Sequence, residues 1–214
     1  MYKRFTYPLF IIITYLFPAP VIIQAAEYDN SSAVILVLGD SLSAAYGISQ
    51  DESWVGLLQK RLTQKHYSYK VVNASVTGET TSGGLSRLDH ALATHIPDIV
   101  ILELGANDGL RGLPITQMQH NLSAIIIRIE KANARVLLVG MQIPTNYGFN
   151  YTQKFRNSYK SIAENYELEL VPFLLEGVAT KRALLQSDGL HPRAEAQPVL
   201  LDNVWPYLKK LITK

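Results

Sequence analysis

Four short motifs in this chain of 214 residues carry the side chains that acyl-transfer chemistry needs. Ser41 supplies a hydroxyl, and Gly78 and Asn107 supply hydrogen-bond donors from the backbone and from a side-chain amide. Near the C-terminus, Asp188 and His191 supply a carboxylate and an imidazole three residues apart. A nucleophile, oxyanion donors and an acid–base pair are the components of covalent catalysis at an acyl carbonyl. The set therefore predicts a serine hydrolase.

Ser41 lies in the segment Gly-Asp-Ser-Leu-Ser, directly after an apolar run that is typical of a buried strand. A serine at a strand-to-helix turn exposes its hydroxyl at the sheet edge, where backbone N–H groups can face a developing oxyanion. Taken alone, Ser41 or Ser43 fits a helix cap better than a nucleophile, and only the other motifs reverse that interpretation. The G-x-S-x-G elbow is absent, because Ser43 stands where its second glycine belongs.

The short spacing of Asp188 and His191 lets one turn bring the two side chains together. Asp188 would then orient the imidazole, while His191 takes the proton of Ser41 and returns it to the leaving group. The alternative is that Asp188-Gly and His191-Pro are simply pairs that favour turns.

Three groups are candidate oxyanion donors: the backbone N–H of Ser41, the backbone N–H of Gly78 and the side-chain amide of Asn107. A glycine at position 78 lets a substrate approach the backbone without meeting a side chain. The alternatives are a plain turn at the end of a strand for Gly78 and an Asn-Asp-Gly turn for Asn107.

Apolar runs alternate with amphipathic segments along the chain. The predicted strands are 34–38, 69–73, 99–103, 135–139 and 170–173, the last at a sheet edge because it contains Pro172. The predicted helices are 54–64, 81–94, 115–131, 151–166 and 194–211, the last with a kink or stop at Pro206. This alternation predicts an α/β fold with three layers, in which helices cover both faces of a five-stranded parallel sheet. Ser41, Gly78 and Asn107 follow the first three strands, so we expect them on one rim.

Composition excludes several classes of function. The chain has 20 basic and 18 acidic residues, a net charge of +2, and no long basic run, so a nucleic-acid partner is not expected. The absence of cysteine excludes disulfides and a thiol nucleophile. No metal site and no cofactor is expected, since the remaining histidines lack ligand spacing; these are His66, His90, His95 and His120. The glycine-rich segment 77–84 lacks the Gly-Lys-Ser/Thr of a phosphate loop.

Residues 1–26 have the layout of a secretory signal peptide. Two basic residues precede an uncharged apolar run over 5–23, and the small residues Ala25 and Ala26 follow. We expect cleavage near Ala25 or Ala26, leaving one domain over 27–214 that is periplasmic or secreted and has no stable membrane insertion. An uncleaved membrane anchor is the alternative.

The four motifs together resemble the consensus blocks of the SGNH (GDSL) hydrolase family. The resemblance covers nearly all of the expected exported domain and implies a flavodoxin-like SGNH hydrolase fold. It also implies Ser41 as nucleophile, Asp188 and His191 as acid and base, and Ser41, Gly78 and Asn107 as the oxyanion hole.

Longer segments are similar to the bacterial periplasmic acyl-CoA thioesterase I/lysophospholipase branch of that family, among them Glu103-Leu-Gly-Ala-Asn-Asp-Gly-Leu-Arg-Gly. Ala106 departs from this branch, which often has glycine there, and we expect no loss of activity from the change. The resemblance implies action on acyl thioesters, lysophospholipids and simple esters.

We therefore expect a monomeric enzyme that cleaves esters and thioesters of small-molecule or lipid acyl substrates. The acyl chain is predicted to lie along four apolar residues of the loops: Leu110, Leu113, Ile143 and Pro144. Two alternatives remain open, a carbohydrate O-deacetylase on the same scaffold and a periplasmic lipid carrier that uses the cleft without catalysis.

Overall fold

The computed structural model describes residues 1–2 and 32–213. Most of the predicted signal peptide, residues 3–26, lies outside the described residues. Within the described part, none of the helices combines the length and the apolar character that a membrane crossing requires.

A single parallel sheet forms the centre of residues 32–213, with the strand order β2-β1-β3-β4-β5. The strands are β1 Ala33–Gly39, β2 Tyr69–Asn73, β3 Ile99–Glu103, β4 Arg135–Val139 and β5 Glu169–Val171. This arrangement confirms the five-stranded parallel sheet and the edge position of the last strand. That strand ends at Val171, two residues earlier than predicted, because Pro172 has no N–H to donate to a ladder.

The central strands β1 and β3 are apolar and buried on both faces. Ile35–Leu38 and Ile99–Leu102 are fully buried, and Val37 is paired with Ile101 in the register. Continuous apolar runs of this kind are what a parallel sheet needs when helices cover both of its sides. The sequence pattern predicted these strands well because both faces of the sheet require apolar residues.

Six α-helices form the outer layers. They are α1 Trp54–Gln64, α2 Thr81–His95, α3 Ala106–Leu110, α4 Ile115–Lys131, α5 Phe149–Asn165 and α6 Gln197–Leu211. Helix α1 packs against α6, and α4 packs against both α2 and α5, as the three-layer prediction requires. The hydroxyls of Ser53 and Thr80 cap α1 and α2 by accepting from Gly56 N and Gly83 N.

Two helical predictions need correction. The last helix begins at Gln197, after a 3₁₀ turn over Ala194–Ala196, and it passes Pro206 without a stop to end at Leu211 as predicted. Pro206 and Asp202 are both exposed, so the N–H that the proline lacks is missing on the solvent-facing side of the helix. The short helix α3 was not predicted at all, because its sequence Ala-Asn-Asp-Gly-Leu has the composition of a turn.

The strand order places the functional motifs at a topological switch point. From β1 the chain passes outward to β2 and then crosses to β3 on the other side of β1. Ser41 follows β1, and Asn107 follows the adjacent strand β3, so both lie at the crevice where ligands bind in such sheets.

Candidate active site

The turn that carries Ser41 is built from hydrogen bonds to Asp40. The Asp40 carbonyl accepts from the N–H groups of Ser43 and Ala44, and its carboxylate accepts from Leu42 N at 2.9 Å. Gly39 is required at the end of β1, since a Cβ there would lie 2.8 Å from the carboxylate of Glu103. These contacts hold Ser41 in a tight turn, with 8% of its surface exposed.

Ser41, His191 and Asp188 form a continuous hydrogen-bonded chain. Ser41 Oγ lies 2.9 Å from His191 Nε2, and His191 Nδ1 lies 2.6 Å from Asp188 Oδ2. With a carboxylate at Nδ1, the neutral imidazole carries its proton on that nitrogen and presents Nε2 as an acceptor to the hydroxyl. The structure thus brings together three side chains from opposite ends of the chain, in the order that nucleophilic catalysis requires.

Asp188 remains exposed although it belongs to this chain of contacts. Its side chain is 36% exposed, while that of His191 is 20% exposed. The backbone N–H of Leu190 donates to Asp188 Oδ1 at 2.9 Å, and His191 N donates to the same oxygen at 3.1 Å. The bond from Leu190, together with those from His191, lowers the pKa of Asp188 to about 2, so the carboxylate is ionised at neutral pH.

Local contacts hold the loop that bears Asp188 and His191. The guanidinium of Arg182 donates to the Gln186 carbonyl at 2.5 Å and to the Ser187 carbonyl at 2.6 Å. Gln186 N donates to the His191 carbonyl at 2.7 Å, closing the loop on itself. The Gln186 side chain also donates to the Tyr46 carbonyl at 2.8 Å, which ties the loop to the segment that carries Ser41.

Beneath Ser41 lie two buried carboxyl groups. Glu103 Oε2 accepts from Ser43 Oγ at 2.7 Å and from Asp40 N at 3.3 Å, while its second oxygen has no partner among residues 32–213. Burial raises the pKa of Asp40 to about 6, and burial together with the neighbouring Asp40 raises the pKa of Glu103 well above its usual range. The two carboxyl groups thus support the Ser41 turn through hydrogen bonds to Asp40 N, Leu42 N and Ser43 Oγ.

Asn107 lies near the start of α3, with its amide directed at the two neighbouring motifs. Asn107 Nδ2 donates to the Glu79 carbonyl at 2.9 Å and to Asp40 Oδ2 at 3.1 Å. Both amide hydrogens therefore have protein acceptors, so donation to an oxyanion requires that the longer contact be shared or given up. The preceding Gly105 has φ +113°, and a Cβ there would clash with the hydroxyl of Tyr159.

Helix α3 is anchored to the start of α2 by Asp108, whose carboxylate is buried. Its two oxygens accept from Thr81 N at 2.9 Å and from Thr81 Oγ1 at 2.6 Å. The same hydroxyl accepts from Asn121 at 3.0 Å. The two residues of this Asn-Asp pair thus have different roles, since Asn107 faces the site and Asp108 fixes the helix that carries Asn107.

Gly78 lies in a turn that is contacted by Arg111, at the end of α3, and by Arg87 of α2. Its φ of +77° favours glycine, and its carbonyl accepts from Arg111 Nη2 at 2.8 Å. Glu79 is paired with Arg87 at 2.6 Å, and Arg87 also donates to the Ala74 carbonyl at 2.5 Å. Within residues 32–213, the N–H groups of Gly78 and Ser41 have no hydrogen-bond acceptor, so both remain available to a substrate oxygen.

The four apolar residues predicted to contact the acyl chain differ in exposure. Leu113 and Pro144 are exposed, Leu110 is half-buried and Ile143 is buried, where it packs on the α3 glycine Gly109. Tyrosine hydroxyls hold this segment, since Tyr147 donates to the Leu110 carbonyl at 2.8 Å and Tyr151 to the Leu113 carbonyl at 2.9 Å.

Three contributors to the site were not found from the sequence. The ring of Tyr46 lies 4.3 Å from that of His191, at an interplanar angle of 37°. Arg111 is one helical turn beyond Asn107, and Arg182 precedes Asp188 by six residues. The spacing of Arg111 could have indicated its side of α3, whereas nothing local indicates that the other two approach the site.

Among the described residues, no group of three or more histidine and acidic side chains is arranged to hold a metal ion.

Comparison with known proteins identifies the family. The model of the GDSL-like lipase/acylhydrolase family matches residues 37–197, a stretch that contains all four motifs. The chain belongs to this family. Membership in the GDSL-like lipase/acylhydrolase family makes it an enzyme that hydrolyses acyl bonds, which sets aside the alternative of a carrier without catalysis.

Individual relatives cover nearly the whole described domain. Esterase TesA of Pseudomonas aeruginosa is 48% identical over 182 residues, which are 85% of this chain and 90% of that protein. Thioesterase 1/protease 1/lysophospholipase L1 of Escherichia coli K12 is 38% identical over 200 residues, 94% of this chain and 93% of that protein.

A solved structure supports the fold at high identity. It is the psychrotrophic esterase EstA from Pseudoalteromonas sp., inhibited by monoethylphosphonate, with a TM-score of 0.80 and 44% identity. The match covers 83% of this chain and 97% of EstA.

Proposed function

We propose that this enzyme is a serine esterase that cleaves acyl esters, thioesters and lysophospholipids through an acyl-enzyme on Ser41. The observation that carries the proposal is the unbroken chain of contacts from Ser41 Oγ through His191 to Asp188, at 2.9 and 2.6 Å. The relatives named esterase, thioesterase and lysophospholipase support the substrate class.

In the first half of the reaction, Ser41 Oγ attacks the acyl carbonyl carbon as His191 Nε2 accepts the hydroxyl proton. The carbonyl electron pair moves to oxygen, and the tetrahedral intermediate then expels the alcohol or thiol, which receives the proton from His191. In the second half, His191 takes a proton from water, whose oxygen attacks the acyl-enzyme, and the proton returns to Ser41 Oγ as the fatty acid leaves.

The developing oxyanion is stabilised by the N–H groups of Ser41 and Gly78, with Asn107 as third donor. The two backbone groups have no protein acceptor among residues 32–213, which supports this role. The Asn107 amide joins them by exchanging its 3.1 Å contact with Asp40 for the oxyanion. Such a donor acts more strongly on the charged intermediate than on the neutral ground state.

Asp188 and Tyr46 act on the imidazole. The ionised carboxylate of Asp188 at Nδ1 fixes the tautomer and stabilises the imidazolium that forms when Ser41 is deprotonated. The Tyr46 ring, 4.3 Å from the imidazole ring, covers one face of it and can interact favourably with the cation.

The acyl chain is proposed to lie along Leu110, Leu113, Ile143 and Pro144. The exposed apolar side chains of this region favour a hydrocarbon over a carbohydrate, since a sugar requires polar partners. An octanoyl ester should therefore be turned over with a higher kcat/KM than the acetyl ester of the same alcohol. The opposite order would support the carbohydrate O-deacetylase.

A fluorophosphonate probe tests the nucleophile directly. The purified protein should be labelled at Ser41, as located by peptide mass spectrometry, and Ser41→Ala should not be labelled. A matched control is Ser82→Ala, which removes an exposed hydroxyl from α2 and should leave labelling unchanged. Labelling of wild-type protein at any other serine would refute the assignment.

We also propose that the enzyme is exported after cleavage near Ala25 or Ala26, on the strength of the N-terminal sequence pattern. Expression of the full chain in a Gram-negative host, followed by N-terminal sequencing of the periplasmic protein, tests this. A protein that retains residues 1–26 would support the membrane anchor instead.

A further inference from the structure

Exposed apolar side chains concentrate at the end of the molecule that carries Ser41. Within residues 32–213, eight large hydrophobic residues are exposed, and six of them follow the carboxyl ends of strands, whereas Ile96 and Ile127 do not. These six residues form what we call the rim patch: Tyr46, Val76, Leu113, Tyr147, Phe149 and Leu190.

Every strand of the sheet is followed by a member of the rim patch. In chain order they are Tyr46 after β1, Val76 after β2, Leu113 after β3, Tyr147 and Phe149 after β4, and Leu190 after β5. At the other end, the described connections that lead into strands contribute only Ile96. Single exposed hydrophobic residues are ordinary, but their collection on one rim from five separate connections indicates an interaction surface.

The rim patch is continuous with the active site. The ring of Tyr46 lies against that of His191 at a tilt of 37°, and Leu190 directly precedes His191 in the catalytic loop. Val76 lies in the turn of Gly78, since its carbonyl accepts from Glu79 N at 3.1 Å. Three members of the patch therefore adjoin the groups that react with an acyl carbonyl.

Phe149 is the most protruding member of the patch. It is 74% exposed and lies at the end of the segment 144–150, all of whose residues are exposed. A phenylalanine this exposed contributes little to the packing of the fold and is costly to leave in water.

We propose that the rim patch docks the enzyme on a phospholipid surface, from which the acyl substrate enters the site directly. This inference rests on the proposed function, because only a lipid-like acyl substrate would reside in such a surface. The aromatic members, Tyr46, Tyr147 and Phe149, suit the boundary between acyl chains and head groups.

Arg111 supplies a partner for the lipid phosphates. Its side chain is exposed beside Gly78, and none of the ion pairs among residues 32–213 includes it. One amino group of the guanidinium contacts the Gly78 carbonyl, and the other donors are free to bind a phosphate oxygen.

Vesicle co-sedimentation tests the docking surface without hydrolysis of the lipid when Ser41→Ala protein is used. This protein should bind phosphatidylcholine vesicles, and the added change Phe149→Ser should weaken binding about tenfold or more, as expected for the loss of one buried aromatic side chain. The matched control is Ile96→Ser, at a residue that is 78% exposed but lies at the opposite end of the molecule. It should bind as tightly as the parent protein.

A second variant gives an independent signal. Phe149→Trp should retain binding and should show a blue shift of its tryptophan emission when vesicles are added. Absence of vesicle binding by the parent protein, or equal weakening by Ile96→Ser, would overturn the proposal. So would self-association that Phe149→Ser abolishes without any vesicle binding, since it would assign the patch to a second copy of the chain.

Hydrolysis of a water-soluble acetyl ester without vesicles separates this inference from the proposed function. Turnover that depends on Ser41 together with no vesicle binding would refute only the docking surface. Vesicle binding together with turnover that survives Ser41→Ala would refute only the proposed nucleophile.

Discussion

The two halves of the active site are held in opposite ways. The side that carries Ser41 and Asn107 rests on buried carboxyl groups from β3, from α3 and from Asp40 directly after β1, each with a partner distant in sequence. The side that carries Asp188 and His191 is an exposed loop whose hydrogen bonds come mainly from its own residues, among them Arg182, which donates to two carbonyls of the loop. Buried carboxyl groups hold Ser41 and Asn107, whereas local turns hold the base.

The difference follows from what each half must do. Oxyanion donors act best when they are preorganised in a water-excluded setting, where their charges and dipoles are weakly screened. The imidazole must instead exchange protons with a leaving group and with water, so partial exposure is compatible with its role.

Removing the Ser41 hydroxyl, where the two halves meet, should have the largest effect on kcat. Ser41→Ala should lower kcat for a soluble ester by about 10⁶, the size of effect seen when serine-protease nucleophiles are removed. Steady-state assays beside the Ser82→Ala control measure this. Near-normal turnover would mean that the contact between the two halves is not the reaction centre.

The buried half is tested by Asn107→Ala. The change removes the third oxyanion donor, so kcat should fall by roughly 10²–10³ with little change in KM. Asn146→Ala, at an exposed amide on the same rim, should leave both constants unaltered. A rise in KM at constant kcat would instead indicate that Asn107 binds the ground state.

The exposed half is tested by Arg182→Gln, which removes the cation that binds the Gln186 and Ser187 carbonyls. Displacement of His191 by a fraction of an ångström should lower kcat by about tenfold and slow fluorophosphonate labelling by a similar factor. Lys181→Gln removes the neighbouring exposed charge and should change neither rate. A loss of thermal stability with unchanged kcat would show that Arg182 supports the loop without positioning the base.

The smallest effect is expected from replacing the buried Glu103, and it concerns the free energy of unfolding. Burial raises the pKa of Glu103, so the folded protein favours the protonated carboxyl. The stability linked to this protonation is fully present below the ordinary pKa of a glutamate and is lost as pH rises through the pKa of Glu103 in the folded protein. Glu103→Gln keeps an acceptor for Ser43 without the charge, so at pH 8 it should be more stable than wild type by about 1 kcal/mol or more.

At pH 4 the two proteins should be nearly equal in stability, because wild-type Glu103 is then neutral. Urea unfolding at both pH values measures the difference, with the exposed Glu195→Gln as control. Equal stability of wild type and Glu103→Gln at both pH values would show that the fold does not raise the pKa of Glu103.

The sequence predicted the frame of the molecule more reliably than the detail of the site. The strand β3, Ile99–Glu103, and the helix α4, Ile115–Lys131, have the predicted bounds, because long apolar or amphipathic runs leave few alternatives. The helix α3 was missed because five residues with turn composition carry no periodicity, and their conformation depends on Asp108 reaching Thr81 in a distant helix.

The amino-acid sequence by itself determined the types of the reacting groups, since hydroxyl, amide, carboxylate and imidazole each lie in a short motif and the parallel-sheet pattern assigns three of these motifs to one rim. Tertiary structure alone decided that position 191 meets position 41 at 2.9 Å, that both hydrogens of the Asn107 amide are already bonded, and that five loops expose hydrophobic residues around the nucleophile. The physical reason is the sequence separation of the contacting residues. Local sequence patterns indicate burial and turns over a few residues, whereas a contact between residues 150 positions apart depends on how whole layers of the fold pack.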